Sequence, residues 1–286
     1  VIATSFDYTR ATSLDDAIAK LKDANGAGKL IAGGHSLVPL MKLRLSEPGL
    51  LIDIARIPGL AGIKNAGDRI EIGAATIHHD VATSTLLRDV CPMLSETAAA
   101  IGDQQVRNRG TLGGSLAHAD PAADYPAAML ALDAEILIAG AKGARAAKAS
   151  TFFQGLFTVD LGPEEIITGV RFAPAAAAAY AKLHQRASHF AIVGVAAALD
   201  VSGGNITSAR VGVTGATASA KRLTKVEQQL TGKKAAAETI AAASRDAGAE
   251  LEDVNADLHG SEDYRRAMVA VFTRRALTAA LARARS

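Results

Sequence analysis

The 286-residue chain has one cysteine, Cys91, no tryptophan, and aromatic residues at only 4%. A lone thiol can neither close an internal disulfide nor supply the ligand set of an iron–sulfur cluster. Any such centre working with this chain must therefore sit in a partner. The scarcity of aromatic rings argues against a stacking platform for single-stranded nucleic acid. Nor is there a surplus of one charge. Lys and Arg number 31 against 29 Asp and Glu, for a formal charge of +2, which gives no reason to expect a polyanionic partner. Arg274, Arg275, Arg283 and Arg285 fall at helical spacing and read as a solvated helix face or a subunit contact. The Ala-rich stretches are broken by charge, Gly or Pro well before the ~20 apolar residues of a membrane span. The chain shows no basic stretch followed by an apolar run, so no secretory signal is expected and a cytoplasmic location is.

What is present is enough Ala, Val, Ile and Leu for a sizeable core, and length for two domains at roughly 100–200 residues each. Ser13 before Leu14-Asp15-Asp16 reads as a helix N-cap, with Leu14, Ala17, Ile18 and Leu21 on one face and Asn25-Gly26 as the stop. Strands are predicted at residues 29–32, 50–54, 69–74, 134–139 and 166–172, and helices at 78–87, 93–101 and 126–132. Residues 102–124 form a Gly-rich polar stretch that is long for a loop without a function. The Ala-rich connection 173–179, with Pro174, marks a domain boundary, giving domains 1–175 and 176–286. Beyond it, strands 191–201 and 206–214 form a hairpin through Ser202-Gly203-Gly204-Asn205. The remainder from Leu223 is mostly helical, ending in a helix over 264–285. The fold class expected is α+β.

Two glycine pairs carry the chemistry. Ala32-Gly33-Gly34-His35-Ser36-Leu37 follows a strand, and Thr111-Leu112-Gly113-Gly114-Ser115 lies in the long polar stretch. Paired glycines admit positive φ and leave backbone N–H groups free to turn toward an anion. Ser36, Thr111 and Ser115 add hydroxyls. Two such loops suit the two sides of a diphosphate, although both can also be read as plain tight turns. Neither is the G-x-G-x-x-G of a dinucleotide fold or a P-loop. Asp124 either caps the helix after it or binds the hydroxyls of a polyol. His35, His78, His79 and His118 lack zinc-ligand spacing, so no metal site is expected. No G-x-S-x-G elbow points to a hydrolase.

The segments 32–39 and 106–115 resemble the two FAD-binding segments of the medium subunit in the aerobic carbon monoxide dehydrogenase and xanthine dehydrogenase family of molybdenum hydroxylases. Asp120-Pro121, Asp124-Tyr125-Pro126, Phe6-Asp7-Tyr8, Leu51-Ile52-Asp53-Ile54, Tyr264-Arg265 and Arg274-Arg275 extend the resemblance over nearly the whole chain. It implies a two-lobed FAD-binding domain of the vanillyl-alcohol-oxidase type, followed by a small antiparallel sheet with helices. FAD would lie between the lobes. Residues 32–36 and 111–115 would hold its pyrophosphate and ribityl regions, and Asp124 a cofactor hydroxyl. Ile101 and Ile166 or Ile167 would line the FAD channel, with Lys182 as a basic position beyond the boundary. Phe190 stands where close relatives place a Tyr near the flavin, and Ser115 where many have Asn or Asp.

The resemblance also implies partners: a small subunit with two 2Fe–2S clusters and a large subunit with the molybdenum cofactor, in a dimer of heterotrimers. Electrons would leave to quinone, NAD or oxygen, with the complex cytoplasmic or at the inner membrane face. No catalytic acid or base is expected in this chain. The competing readings are the medium subunit of an aldehyde, purine or N-heterocycle hydroxylase, a stand-alone flavin oxidoreductase of the same fold, and a binding module that has lost FAD.

Overall fold

In the computed structural model, which describes residues 2–284, the Ser13 hydroxyl accepts a hydrogen bond from Asp16 N at 3.1 Å and starts α1 (Leu14–Asp23). Asn25 and Gly26 stop it, both at positive φ (44° and 87°). The first lobe is completed by β1 (Asp7–Arg10), β2 (Gly28–Ile31), α2 (Leu37–Lys42) and β3 (Leu50–Asp53). Its strands pair in parallel in the order β1-β3-β2. Ala17 and Leu21 of α1 share a buried core with Ile52 of β3.

The second lobe starts with β4 (Ile63–Asn65) and β5 (Ile70–Gly73). The helix expected over 78–87 is two: α3 (His78–Thr83) and α4 (Thr85–Val90). Ser84 breaks it because its hydroxyl accepts from Leu87 N at 3.2 Å and caps α4 instead of extending α3. After α5 (Pro92–Ala99), the expected loop over 102–124 contains α6 (Gln104–Arg107) and α7 (Leu112–His118). Asp103 accepts from Val106 N at 2.8 Å and Thr111 from Gly114 N at 3.1 Å, so each helix begins on a side-chain cap. Next come α8 (Tyr125–Ala131), β6 (Glu135–Gly140), β7 (Gly143–Lys148), α9 (Ala149–Phe152), β8 (Phe153–Gly155), β9 (Thr158–Val159) and β10 (Ile166–Phe172). The main sheet is antiparallel in the order β4-β5-β10-β6-β7.

The third part is a four-stranded antiparallel sheet: β11 (Ala178–His184), β12 (Ala191–Ser202), β13 (Asn205–Thr214) and β14 (Lys221–Arg222). Gly203 and Gly204 turn the β12–β13 hairpin at φ 57° and 77°, the double positive φ of a primed turn. β11 begins inside the segment expected to be a connection, with Ala178 and Ala179 buried. Small side chains there let the sheet approach its neighbours. Then follow α10 (Thr224–Leu230), α11 (Ala237–Ser244), a 3-10 turn (Ala247–Glu250) and α12 (Glu262–Ala284).

The strand period explains why β12 is buried along both faces. Val193, Val195, Ala197 and Leu199 enter a core with Val269, Phe272 and Leu277 of α12. The alternating Ala196 and Ala198 enter the core of the second lobe with Tyr125 and Met129 of α8. The two parts thus share a core across the expected boundary. Arg283, expected on a solvated or partner-facing surface, instead pairs with Glu96 of α5 and donates to Ala178 O. Arg275 sits over the Phe272 ring at 4.6 Å, and Arg285 lies outside the described residues.

Gly212 of β13 has no room for a side chain, because a Cβ there would collide with the backbone carbonyl of Ala127 in α8. Gly212→Ala is expected to push the sheet off α8 and lower stability by about 1–3 kcal/mol, the usual cost of overpacking. A urea unfolding midpoint equal to that of the wild type would contradict this packing.

Candidate functional site

Where the two lobes meet, a cleft of about 730 Å³ opens, walled by β2 and the turn after it, by α7, by the 157–167 segment and by the β11–β12 turn. Ala32, Gly33, Gly34, His35, Ser36, Leu37, Ile101, Thr111, Gly113, Gly114, Ser115, Asp124, Ile166, Ile167 and Phe190 all line it. Lys182 does not. It lines an adjoining open recess of about 620 Å³, which shares Gly102 and His189 with the cleft.

The two glycine pairs have different conformations. Of the four glycines only Gly34 has a positive φ, at 72°. The N–H groups of Gly33, Gly34, His35 and Ser36 donate to no acceptor among the described residues, and neither does the Ser36 hydroxyl. This turn therefore offers a run of open donors at the cleft wall, the arrangement that suits an anion. The second pair is the first turn of α7, and its amides are occupied. Leu112 N donates to Thr76 O at 3.0 Å, Gly113 N to Ala74 O at 2.8 Å, and Gly114 N to the Thr111 hydroxyl. Its glycines serve close approach instead of positive φ. A Cβ on Gly113 would crowd Ala74, whereas one on Gly114 would meet only the Thr111 hydroxyl, at 2.8 Å. The two segments are in contact, since a Cβ on Gly33 would strike Arg109 O.

Ile166 and Ile167 both reach the cleft, although successive strand residues normally face opposite ways. The two open β10, just ahead of a bulge between Ile167 and Gly169. Phe190 stands half exposed at the rim. Asp124 precedes α8 but makes no side-chain cap. Its buried carboxylate instead accepts from Tyr180 Oη at 2.5 Å and from Lys182 Nζ at 2.8 and 2.9 Å. Lys182 Nζ also donates to Ala100 O at 2.9 Å, next to Ile101. Burial pushes the Asp124 carboxyl above its usual range, and the Lys182 ammonium opposes that rise.

Sequence reasoning missed Tyr180, His78 and Phe157. Tyr180 and Lys182 are two apart on one strand and so share a face, a pattern hidden because the alanines that open β11 give no strand signal. Phe157 contacts His118 at 5.1 Å between ring centroids and holds a positive φ of 51°, for which a non-glycine residue gives no signal. His78 backs the second pair: its N–H donates to Gly110 O at 2.9 Å and its ring leaves no room for a Cβ on Gly110. Its Nδ1 has no hydrogen-bond partner among the described residues, and burial, with His35 and Arg107 nearby, holds its pKa down to about 4. Lys29, His35, His78 and His118 outline a cleft whose donors fit a phosphate-bearing dinucleotide.

His78 has a pH consequence. A histidine of depressed folded pKa contributes stability that is complete above its unfolded value, near 6.5, and is lost as pH falls toward about 4. The loss attributable to this group is on the order of 3 kcal/mol. Denaturant titrations from pH 7 to 4 should show His78→Leu with a flatter decline than the wild type. Equal slopes would remove His78 from the acid response.

Residues 4–176 match the family described as FAD binding domain in molybdopterin dehydrogenase, and residues 178–280 match the CO dehydrogenase flavoprotein C-terminal domain. The chain is 38% identical to the carbon monoxide dehydrogenase medium chain of Hydrogenophaga pseudoflava, over 99% of both chains. It is 39% identical to the 6-hydroxypseudooxynicotine dehydrogenase complex subunit alpha of Paenarthrobacter nicotinovorans, over 98% of this chain and 96% of that one. A solved structure of carbon monoxide dehydrogenase from Hydrogenophaga pseudoflava superposes with a TM-score of 0.94 over 99% of both chains, at 39% identity. One of quinoline 2-oxidoreductase from Pseudomonas putida 86 does so at 0.93 over the full length of both, at 32% identity. A cleft with a turn of open backbone amides on one wall and a capped glycine helix on the other, in a chain matched end to end by these proteins, places it in the family of FAD-binding medium subunits of molybdenum hydroxylases.

Proposed function

We propose that this chain is the FAD-carrying electron-transfer subunit of a carbon monoxide dehydrogenase-type complex. It stands between the 2Fe–2S clusters of a small partner subunit and an external acceptor, with the molybdenum cofactor in a large subunit. The observation that carries the reading is the cleft itself: both glycine segments, Asp124, Ile101, Ile166 and Ile167 meet at one wall-to-wall site. FAD, when bound, takes electrons singly and passes them on as a pair. The chain's own residues bind, orient and shield. The open amides of Gly33 to Ser36 face the diphosphate, and α7 brings Thr111 and Ser115 beside it. Asp124, braced by Lys182, takes a cofactor hydroxyl. Ile101, Ile166 and Ile167 keep water from the ring channel, and Phe190 shields its rim without the phenol that a Tyr would offer. Cys91 is buried, with its thiol pushed up to about 12, which suits packing and not ligation.

The partners would assemble as a dimer of heterotrimers in the cytoplasm or at the inner membrane face, with quinone, NAD or oxygen as acceptor. No described helix is long and apolar enough to cross a membrane. A second reading is favoured by the 39% identity to a subunit of 6-hydroxypseudooxynicotine dehydrogenase. In that case the large subunit works on an N-heterocycle or related substrate, while this chain plays the same part.

The complex purified with its partners should contain about one FAD per copy of this chain, read from flavin absorbance after denaturation. Gly114→Val should cut that occupancy at least about tenfold, because two methyl groups enter the cleft beside the Thr111 hydroxyl where little else is near. A Gly114→Val complex with full FAD content would overturn the placement of the cofactor against α7. A wild-type complex without flavin would overturn the functional reading.

A further inference from the structure

The segment Asp120 to Asp124 belongs to the FAD-binding part of the chain but is held largely by the C-terminal sheet. Gly215 N donates to Pro121 O at 2.8 Å and Ala191 N to Ala122 O at 3.2 Å. The Thr214 hydroxyl lies 2.7 Å from Ala123 O and 2.9 Å from Pro121 O. At the end of the segment, Asp124 receives Tyr180 and Lys182 of β11. Lys182 has an evident role as the counter-charge. Tyr180 brings no counter-charge, yet three features are built around it. Its ring, partly buried, packs against the second-lobe core. Gly194, across the sheet on β12, has no side chain where a Cβ would strike the Tyr180 hydroxyl. Glu96 of α5 accepts from Tyr180 N at 3.0 Å and is itself gripped by Arg283 of α12.

We propose that Tyr180 is a positioning residue for the cofactor: its phenol fixes the Asp124 carboxylate in the orientation, and in the ionised state, that receives a cofactor hydroxyl. This rests on the FAD reading above. A carboxylate has acceptor sites to spare. Tyr180 and Lys182 approach it from the C-terminal side, which leaves its remaining lone pairs for the cleft that Asp124 lines. The charged and titratable groups around it are Tyr125 on its own helix and Tyr180 and Lys182 on β11. Across the recess stand Glu96 on α5, Arg107 on α6, and His184 and His189 at the β11–β12 turn. Among these, Tyr180 and Lys182 are the two that hydrogen-bond the carboxylate. Losing the phenol therefore makes the ionised form harder to hold, and protonation sets in at a higher pH.

The test uses the assembled complex with Tyr180→Phe, titrated with acid while released FAD is separated by filtration and measured by fluorescence. The acid midpoint is read for each protein relative to its own FAD content at neutral pH. The acid midpoint of FAD release should rise by about one pH unit, the size expected for losing one hydrogen bond to a charged acceptor. If the phenol merely fills space, the Tyr180→Phe midpoint will match the wild type, and the proposal fails. Should Tyr180→Phe not assemble, 3-fluorotyrosine at this position supplies a stronger donor of the same shape. It should lower the midpoint, and an unmoved midpoint again overturns the proposal. A wild-type complex that carries no FAD removes the functional reading and this inference together. A loaded wild type with an unshifted variant removes this inference alone.

Discussion

The buried charge pair between Asp124 and Lys182 is the interaction on which the rest of the site depends. Both side chains are about 5% exposed, so neither charge is hydrated as it would be in water. Desolvation of two charges is repaid only when geometry is good and the remaining polar atoms are satisfied. Here the carboxylate has the phenol of Tyr180 as well as the ammonium, and the ammonium has Ala100 O as well as the carboxylate. Losing either partner strands a buried charge, at about 3–5 kcal/mol. The pair also joins three pieces of chain. Asp124 starts α8, Lys182 lies on the C-terminal sheet, and Ala100 O leads into Ile101 of the cleft. A polar contact of this kind specifies one docking arrangement, which an apolar contact of similar area would not.

The same logic explains why the C-terminal domain is needed at a site whose glycine segments lie entirely in the first 175 residues. The lobes provide amides, hydroxyls and apolar walls, but the segment from Asp120 to Asp124 is irregular backbone. Its carbonyls find donors on β12, on Gly215 just past β13 and in the Thr214 side chain. Buried backbone groups must be paired somewhere, and here the partner is the neighbouring sheet. The shared core, with Ala196 and Ala198 packed among lobe residues, makes that sheet a fixed support.

Much of the fold was legible because local signals and packing agree. α1 has its cap, amphipathic face and stop, β10 has the predicted span, and the glycine hairpin has its two positive φ values. The failures share a cause. Ser84, Asp103 and Thr111 are polar residues in polar surroundings, and as caps they create helix ends where composition suggested one helix or none. The strand beginning at Ala178 is almost all alanine at its start, so it lacked the β-branched pattern of a strand. The cleft residues were legible through glycine chemistry and family resemblance together. Tyr180 was not, because its meaning comes from a carboxylate 56 positions earlier.

The unequal chemistry of the two glycine segments bears on how such a site can be altered. The turn at Gly33 to Ser36 carries open amides, so its contribution comes from backbone and survives many side-chain changes. The α7 segment has spent its amides on Thr76 O, Ala74 O and the Thr111 hydroxyl, so its contribution comes from shape and from the Ser115 hydroxyl, which bonds to none of the described residues. A position where relatives vary between Ser, Asn and Asp is then expected at 115 and not at 33, since the Gly33 backbone lies against Arg109 with no room for a side chain. The first segment presents backbone geometry to the cleft, while Ser115, Phe190 and the Asp124 cluster present side chains to it. That division fits a relay subunit. Side chains at its rim can vary without disturbing the open amides of Gly33 to Ser36.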